Sequence, residues 1–300
     1  MTRINQKIDS LQISEKTKEN VIRKSDFVDH VQLFPDGVPM FSWIDISLTE
    51  LCNRVCVFCP RADSDLYPNQ NLNISLVLIN KIATELKAVR FGGGVVFCGY
   101  GEPLLHPEIL EIVRVFGPDV RTEIVTNGDK LTPSLIRQLF GAGLSFLCIS
   151  MYDGPEQVEF FKGMLAEADV PSDKFILRDR WHSEQDSFGL KLTNRAGVVK
   201  YGPSVMTNHL RPCHYPSYSL TIDWNGDVLL CVQDWQKKVK FGNLNNMSLE
   251  SVWRSSKLSS ARDRLIEGKR TAAPCKECNA DGTLHGFNHV NAWELSRGSS

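Results

Sequence analysis

The chain has almost no net charge. Thirty-four Lys and Arg stand against 35 Asp and Glu, a formal −1 at pH 7. No basic surplus is available to hold a nucleic-acid backbone, and no block of like charge forms a tail, so no nucleic acid is expected as a partner. Long apolar runs are also missing. No stretch approaches the roughly 18 uninterrupted apolar residues that a bilayer span needs, so no membrane is expected. Residues 1–10 are polar and hold no apolar h-region, which argues against a signal peptide and for a reducing, cytoplasmic compartment. Internal repeats and low-complexity segments are absent too. With 300 residues, 42% of them hydrophobic, the chain can bury a core without disulfide staples.

What the chain does have is cysteine, nine in all. Cys52, Cys56 and Cys59 form C-x3-C-x2-C just after the first expected strand. Three thiolates in one loop can hold three irons of a [4Fe–4S] cluster and leave the fourth open to a small molecule. A zinc site with a remote fourth ligand, or plain core thiols, would use the same residues. Cys213, Cys231, Cys275 and Cys278 place one thiol before a hairpin, one after it and a C-x2-C pair beyond a helix. Four thiolates saturate either a tetrahedral zinc or a [4Fe–4S] cluster. Cys98 and Cys148 sit inside apolar strands and read as small buried hydrophobes.

Around these cysteines the hydrophobic pattern alternates between strand and helix periods. Strands are expected at 41–48, 95–98, 121–126, 144–151, 173–179 and 190–193. Helices are expected at 75–89, 107–116, 131–140 and 155–168, the third opened by Thr132 as cap with Pro133 following. Strands alternating with helices imply parallel pairing, and about six units are too few for a closed eight-fold barrel. The expectation is an α/β partial (β/α)6 barrel over 41–202, preceded by an N-terminal arm or surface helix over 1–40. A small metal-organised module over 203–300 follows, with a hairpin turned by Asn225-Gly226 and a helix over 249–266. His106, His182 and His214 share no ligand spacing and read as structural or exposed. Tyr152-Asp153 suit either a turn or a pocket wall, and Trp181 and Trp224 suit a core or lid.

The run Cys52-Asn-Arg-Val-Cys56-Val-Phe-Cys59 resembles the signature of the radical S-adenosylmethionine (SAM) superfamily, with Phe58 before the last cysteine. Gly99-Tyr100-Gly101-Glu102-Pro103, after the second strand, is similar to that family's Gly-rich motif. The later cysteines resemble its SPASM/twitch extension, with the spacing of the aminocyclitol-dehydrogenase branch. The resemblance implies SAM and two [4Fe–4S] clusters, one SAM-binding on Cys52, Cys56 and Cys59, one auxiliary on Cys213, Cys231, Cys275 and Cys278. It implies SAM contacts from Phe58, Tyr100, Gly101, Glu102, Pro103, Thr126, Asn127 and Ser150. It implies also a one-electron donor such as flavodoxin or ferredoxin.

The activity implied is hydrogen abstraction by a 5′-deoxyadenosyl radical, oxidising a secondary alcohol of a sugar or aminocyclitol to a ketone while the auxiliary cluster accepts an electron. Radical modification of a ribosomally synthesised peptide, by epimerisation, crosslinking or backbone cleavage, is the alternative. A zinc-stabilised binding module is the non-enzymatic one. Arg195 follows the last expected strand and is the candidate catalytic residue. Its high pKa suits anchoring a substrate or SAM carboxylate rather than removing a proton.

Overall fold

The structure, a computed structural model, describes residues 15–181, 193–199 and 210–298. The strand expected at 190–193 and His182 fall outside the described residues, apart from Thr193, which is not in a strand. The frame is one eight-stranded sheet. Its first five strands in chain order are β1 (Trp43–Ile46), β2 (Gly94–Phe97), β3 (Arg121–Thr126), β4 (Phe146–Met151) and β5 (Phe175–Asp179). Each pairs in parallel with the next. The helical crossovers between them are α2 (Leu76–Ala88), α3 (Ile109–Phe116), α4 (Pro133–Gly141) and α5 (Gln157–Glu167).

The other edge of β1 is taken in parallel by β6 (Ser219–Ile222), which turns through Asn225-Gly226 into antiparallel β7 (Asp227–Leu229) and β8 (Lys240–Asn243). The sixth parallel strand among the described residues therefore comes from the C-terminal third. It joins the cysteine-rich module and the barrel through one continuous sheet, in the order β5-β4-β3-β2-β1-β6-β7-β8.

Local chemistry accounts for the element ends. Ser75 caps α2 by accepting from the Leu78 amide at 3.2 Å, and Thr132 caps α4 from Leu135 at 3.1 Å. Gly226, at φ +87°, supplies the left-handed turn residue of the β6–β7 hairpin. The helix expected over 249–266 is two helices, α6 (Leu249–Trp253) and α7 (Ser256–Ile266). Arg254 ends the first and Ser255 caps the second, its hydroxyl accepting from the Leu258 amide at 3.3 Å. The last helix is α8 (Phe287–Gly298).

Strand alternation sorts the interior. Ile44, Ile46, Val95, Phe97, Ile124, Leu147, Ile149 and Leu177 face the helices and form the main core. The other face carries Trp43, Asp45, Val96, Cys98, Glu123, Val125, Ser150, Tyr152, Arg178 and Arg180, which line a cavity of about 470 Å³. The N-terminal α1 (Glu15–Val28) packs on β5. It is more than a surface helix, because Asn20, Arg23 and Lys24 reach the cavity. No helix among the described residues is long and apolar enough to cross a membrane.

Candidate active site

The cavity mouth gathers the motifs. Cys52, Cys56 and Cys59 line it together with Phe58, Tyr100, Gly101, Glu102, Thr126, Asn127, Ser150 and Arg195. Pro103 is not in the wall; it opens the short helical turn Pro103–Leu105 behind it.

The β2 loop is shaped by two glycines. Gly99 has φ +129°, a region closed to most side chains. At Gly101 a Cβ would lie 2.3 Å from the Thr49 carbonyl oxygen and 2.5 Å from that of Leu51, so the loop lies directly on the chain entering the cysteine loop. Glu102 follows, 3% exposed. Its carboxylate accepts from the Thr126 hydroxyl at 2.6 Å, the Asn127 amide at 2.8 Å and the Leu104 amide at 3.1 Å. Burial pushes its pKa up to about 7, opposed by those three hydrogen bonds. Glu102 therefore ties the β2 loop to the end of β3 as well as facing the cavity.

Arg54, inside the first cysteine motif, holds that loop over the barrel. Its guanidinium donates to Asp129 at 2.5 and 2.7 Å and to Asp153 at 2.7 Å through two nitrogens. Asn53 accepts from Asn127 at 2.9 Å, and Asn69 pairs with both backbone groups of Cys52. Phe58 stacks on Tyr152 with ring centroids 6.0 Å apart. The Tyr100 ring faces the C-terminal module, edge-on to Trp235 at 4.8 Å with its hydroxyl 3.3 Å from the Asp234 carbonyl. None of Arg54, Asp129 or Asn69 was singled out by the sequence, although Arg54 lies within the motif itself.

The second cysteine set lines a separate small cavity, with Cys213, Cys231, Cys275 and Cys278 among Leu230, Leu265 and Pro274. Tyr215 and Gln233 line both cavities, and Arg195 of the first adjoins Ala196 of the second. Arg195, Ala196 and Gly197 have φ of +47°, +54° and +89°. Two consecutive non-glycine residues in this region are costly, about 1–3 kcal/mol each. The turn is held by Asn194, which accepts from Asn279 at 3.2 Å and donates to the Glu277 carbonyl at 2.6 Å. Of the remaining candidates, His106 bonds the Ile74 carbonyl at 3.0 Å and His214 that of His285 at 3.1 Å, both structural. Cys148 is buried, whereas Cys98 lines the main cavity, its thiol 3.4 Å from Asp45 Oδ1.

Among the described residues no three His, Cys, Asp or Glu side chains already converge on one ion. Fit to iron–sulfur groups is therefore judged on the chemistry of the donors. Burial and the charges of Cys59 and Cys52 push Cys56 up to about 12. Burial and the charges of Cys213 and Cys278 do the same to Cys275. Crowded thiols that resist ionising alone are the donors that a bound cationic centre stabilises as thiolates. Both sets fit such a group.

A partial barrel with a thiol loop at the strand ends and a four-thiol module beside it defines a class. A family model described as the radical SAM superfamily matches residues 46–164, and SPASM, an iron–sulfur cluster-binding domain, matches 213–279. The chain belongs to the radical SAM superfamily and carries a C-terminal SPASM-type iron–sulfur domain. It is similar to the S-adenosyl-L-methionine-dependent 2-deoxy-scyllo-inosamine dehydrogenase of Niallia circulans, with 29% identity over 245 residues, 80% of this chain and 93% of the relative. The crystal structure of BtrN in complex with AdoMet and 2-DOIA aligns with a TM-score of 0.69 at 26% identity, covering 84% of this chain and 98% of that one. A shorter match, to the AdoMet-dependent heme synthase of Methanosarcina barkeri, has 30% identity over 173 residues, 51% of this chain and 47% of the relative.

Proposed function

We propose that this chain is a radical SAM dehydrogenase that oxidises a secondary alcohol of a sugar or aminocyclitol to a ketone. The observation that carries the reading is the adjacency of two thiol-lined cavities, joined through Tyr215, Gln233 and the Arg195-Ala196 turn. Turning a carbinol into a ketone removes a hydrogen atom, a proton and an electron. Cys52, Cys56 and Cys59 would hold a [4Fe–4S] cluster that, with SAM bound, supplies hydrogen-abstracting power. Cys213, Cys231, Cys275 and Cys278 would hold an auxiliary cluster able to take an electron. The named relative, a dehydrogenase with a similar span, supports this assignment.

The chain's own residues do the rest. The β2 loop and the Thr126-Asn127 turn, locked together by Glu102, form the wall against which SAM is held, with Ser150 beside it. Arg195 anchors a carboxylate. On the cavity floor, Lys24 stands 4.3 Å over the Trp43 ring, burial lowering its pKa and raising that of nearby Asp45. Both residues line the cavity, and as an electrostatically coupled ammonium and carboxylate they would take up the alcohol proton. Flavodoxin or ferredoxin would bring the reducing electron.

The test is turnover of the reduced, reconstituted enzyme with SAM and alcohols deuterated at the carbinol carbon. A ketone forming alongside deuterated 5′-deoxyadenosine supports the reading; SAM cleavage with no ketone from any alcohol contradicts it.

One observation favours a second reading. The Cys98 thiol lines the cavity, and a thiol there can return a hydrogen atom to a substrate radical, giving epimerisation instead of oxidation. Solvent deuterium appearing in an inverted product, and lost in Cys98→Ala, selects that outcome.

A further inference from the structure

We propose that the substrate carries an anionic group, a carboxylate or a phosphate, held by Arg178, Arg180 and Arg195. This rests on the dehydrogenase reading and narrows its substrate class.

The three guanidiniums line one side of the main cavity, two from β5 and the residue following it and one from the strained turn at 194–197. Their hydrogen-bond partners among the described residues are few and uncharged. Arg178 Nη2 donates to the Ser150 hydroxyl at 2.8 Å, and Arg180 Nη1 to the Asp179 carbonyl at 3.0 Å. Arg178 Nε and Arg195 Nε are buried with no hydrogen-bond partner among the described residues. Leaving a buried donor unpaired is costly, the more so when it is charged.

Of the other arginines that line the cavity, Arg61 donates to the Tyr100 and Pro68 carbonyls, and Arg23 and Arg54 have carboxylate partners, although Arg23 Nε is left without a hydrogen bond. Arg54 is bridged to Asp129 and Asp153. Arg23 and Arg121 both pair with Glu123, at 2.5 and 3.0 Å. Asp45 lies in the field of Lys24. Glu123, Asp129 and Asp153 are thus engaged by other arginines, and both Arg178 and Arg195 bear on Arg180. Burial, then the neighbouring charges of Arg178 and Arg195, pull Arg180 down to about 10.

SAM does not resolve this crowding. It brings one carboxylate but also an ammonium and a sulfonium, adding net positive charge to the cavity. Two guanidiniums remain when SAM's carboxylate takes one. Planar guanidinium forks match the paired oxygens of carboxylate or phosphate. A substrate whose only ionised group is an amine would meet repulsion here. A sugar or cyclitol acid, or its phosphate ester, would complete the site.

The test is isothermal titration of reconstituted, SAM-loaded enzyme with glucose, glucosamine, glucuronate, glucose 6-phosphate and inorganic phosphate. The expected result is that an anionic probe binds about tenfold or more tightly than glucose or glucosamine. Preference for glucuronate or for glucose 6-phosphate then identifies the group as carboxylate or phosphate. Arg180→Gln weakens that affinity about tenfold, and Arg180→Lys restores part of it. Arg195→Gln, at a separate place in the fold, gives the same loss and guards against misfolding of one variant.

Equal binding of neutral and anionic probes, absence of binding by all the anions, or unchanged anion affinity in both Gln variants overturns the inference. Reductive SAM cleavage by the same wild-type sample is recorded alongside. Cleavage without anion preference sinks this inference alone, whereas no cleavage by cluster-loaded enzyme sinks the dehydrogenase reading.

Discussion

Gly101 shows how tightly single residues set the cavity wall. A Cβ there would press on the Thr49 and Leu51 carbonyl oxygens, which are backbone atoms and cannot swing aside as a side-chain end could. Gly101→Ala is expected to cost about 1–3 kcal/mol of stability and to weaken SAM binding, measured by thermal denaturation and equilibrium dialysis. A wild-type melting temperature would mean that the loop does not lie where the structure places it. Arg54 is a comparable lever. Its four hydrogen bonds to Asp129 and Asp153 fix the cysteine loop to the ends of β3 and β4. Arg54→Ala should leave the fold intact but lower the iron retained after desalting, whereas Asp153→Asn, which keeps the Asp129 arm, should lower it less. Equal iron in Arg54→Ala and wild type would make the bridge ornamental.

Among the elements, α8 carries a buried titratable group. His289 is fully buried, and burial, with a smaller push from His30, lowers its pKa to about 4. The unfolded chain holds this imidazole near its ordinary value of about 6.5, so between those values the unfolded state binds more protons. Stability present above about pH 6.5 is therefore lost as pH falls toward 4, by up to about 3 kcal/mol. Urea titrations across that range should show the loss in wild type and a flatter profile in His289→Gln; an equally steep profile in the variant would place the acid sensitivity elsewhere.

The elements were legible where periodicity and caps agree. β3 spans the residues expected, and Thr132 caps α4 as its sequence suggests. The 249–266 stretch reads as one helix because apolar residues lie on both sides of polar Arg254–Lys257, and the cap that breaks it is visible only as a hydrogen bond. The first cysteine loop stands out by its spacing, whereas the roles of the distal cysteines and of the β2 loop rest on the resemblance to the radical SAM superfamily, because four thiolates suit zinc as well as iron–sulfur and a glycine turn alone is unspecific. Arg178 and Arg180 could not, because their meaning depends on which face of β5 turns inward. Lys24 was hidden for a similar reason, since nothing in a polar N-terminal stretch says that one side of α1 closes a cavity.

At the scale of the whole molecule, one sheet carries both thiol sites. β6 extends the barrel strands, and the hairpin it begins brings Cys231 beside Cys213, Cys275 and Cys278. That continuity holds the two cavities side by side without a flexible linker among the described residues. It predicts a separable phenotype. Cys275→Ala should abolish ketone formation while reductive SAM cleavage persists, measured by chromatography of both products. Full turnover without the distal site would remove it from the electron path.

The most direct measurement is iron and sulfide per chain after anaerobic reconstitution, on wild type and on the Cys52/Cys56/Cys59→Ala variant. Two [4Fe–4S] sites predict about eight irons falling to about four. About four irons falling to none, with zinc on the distal cysteines, would contradict the account and leave the second site structural.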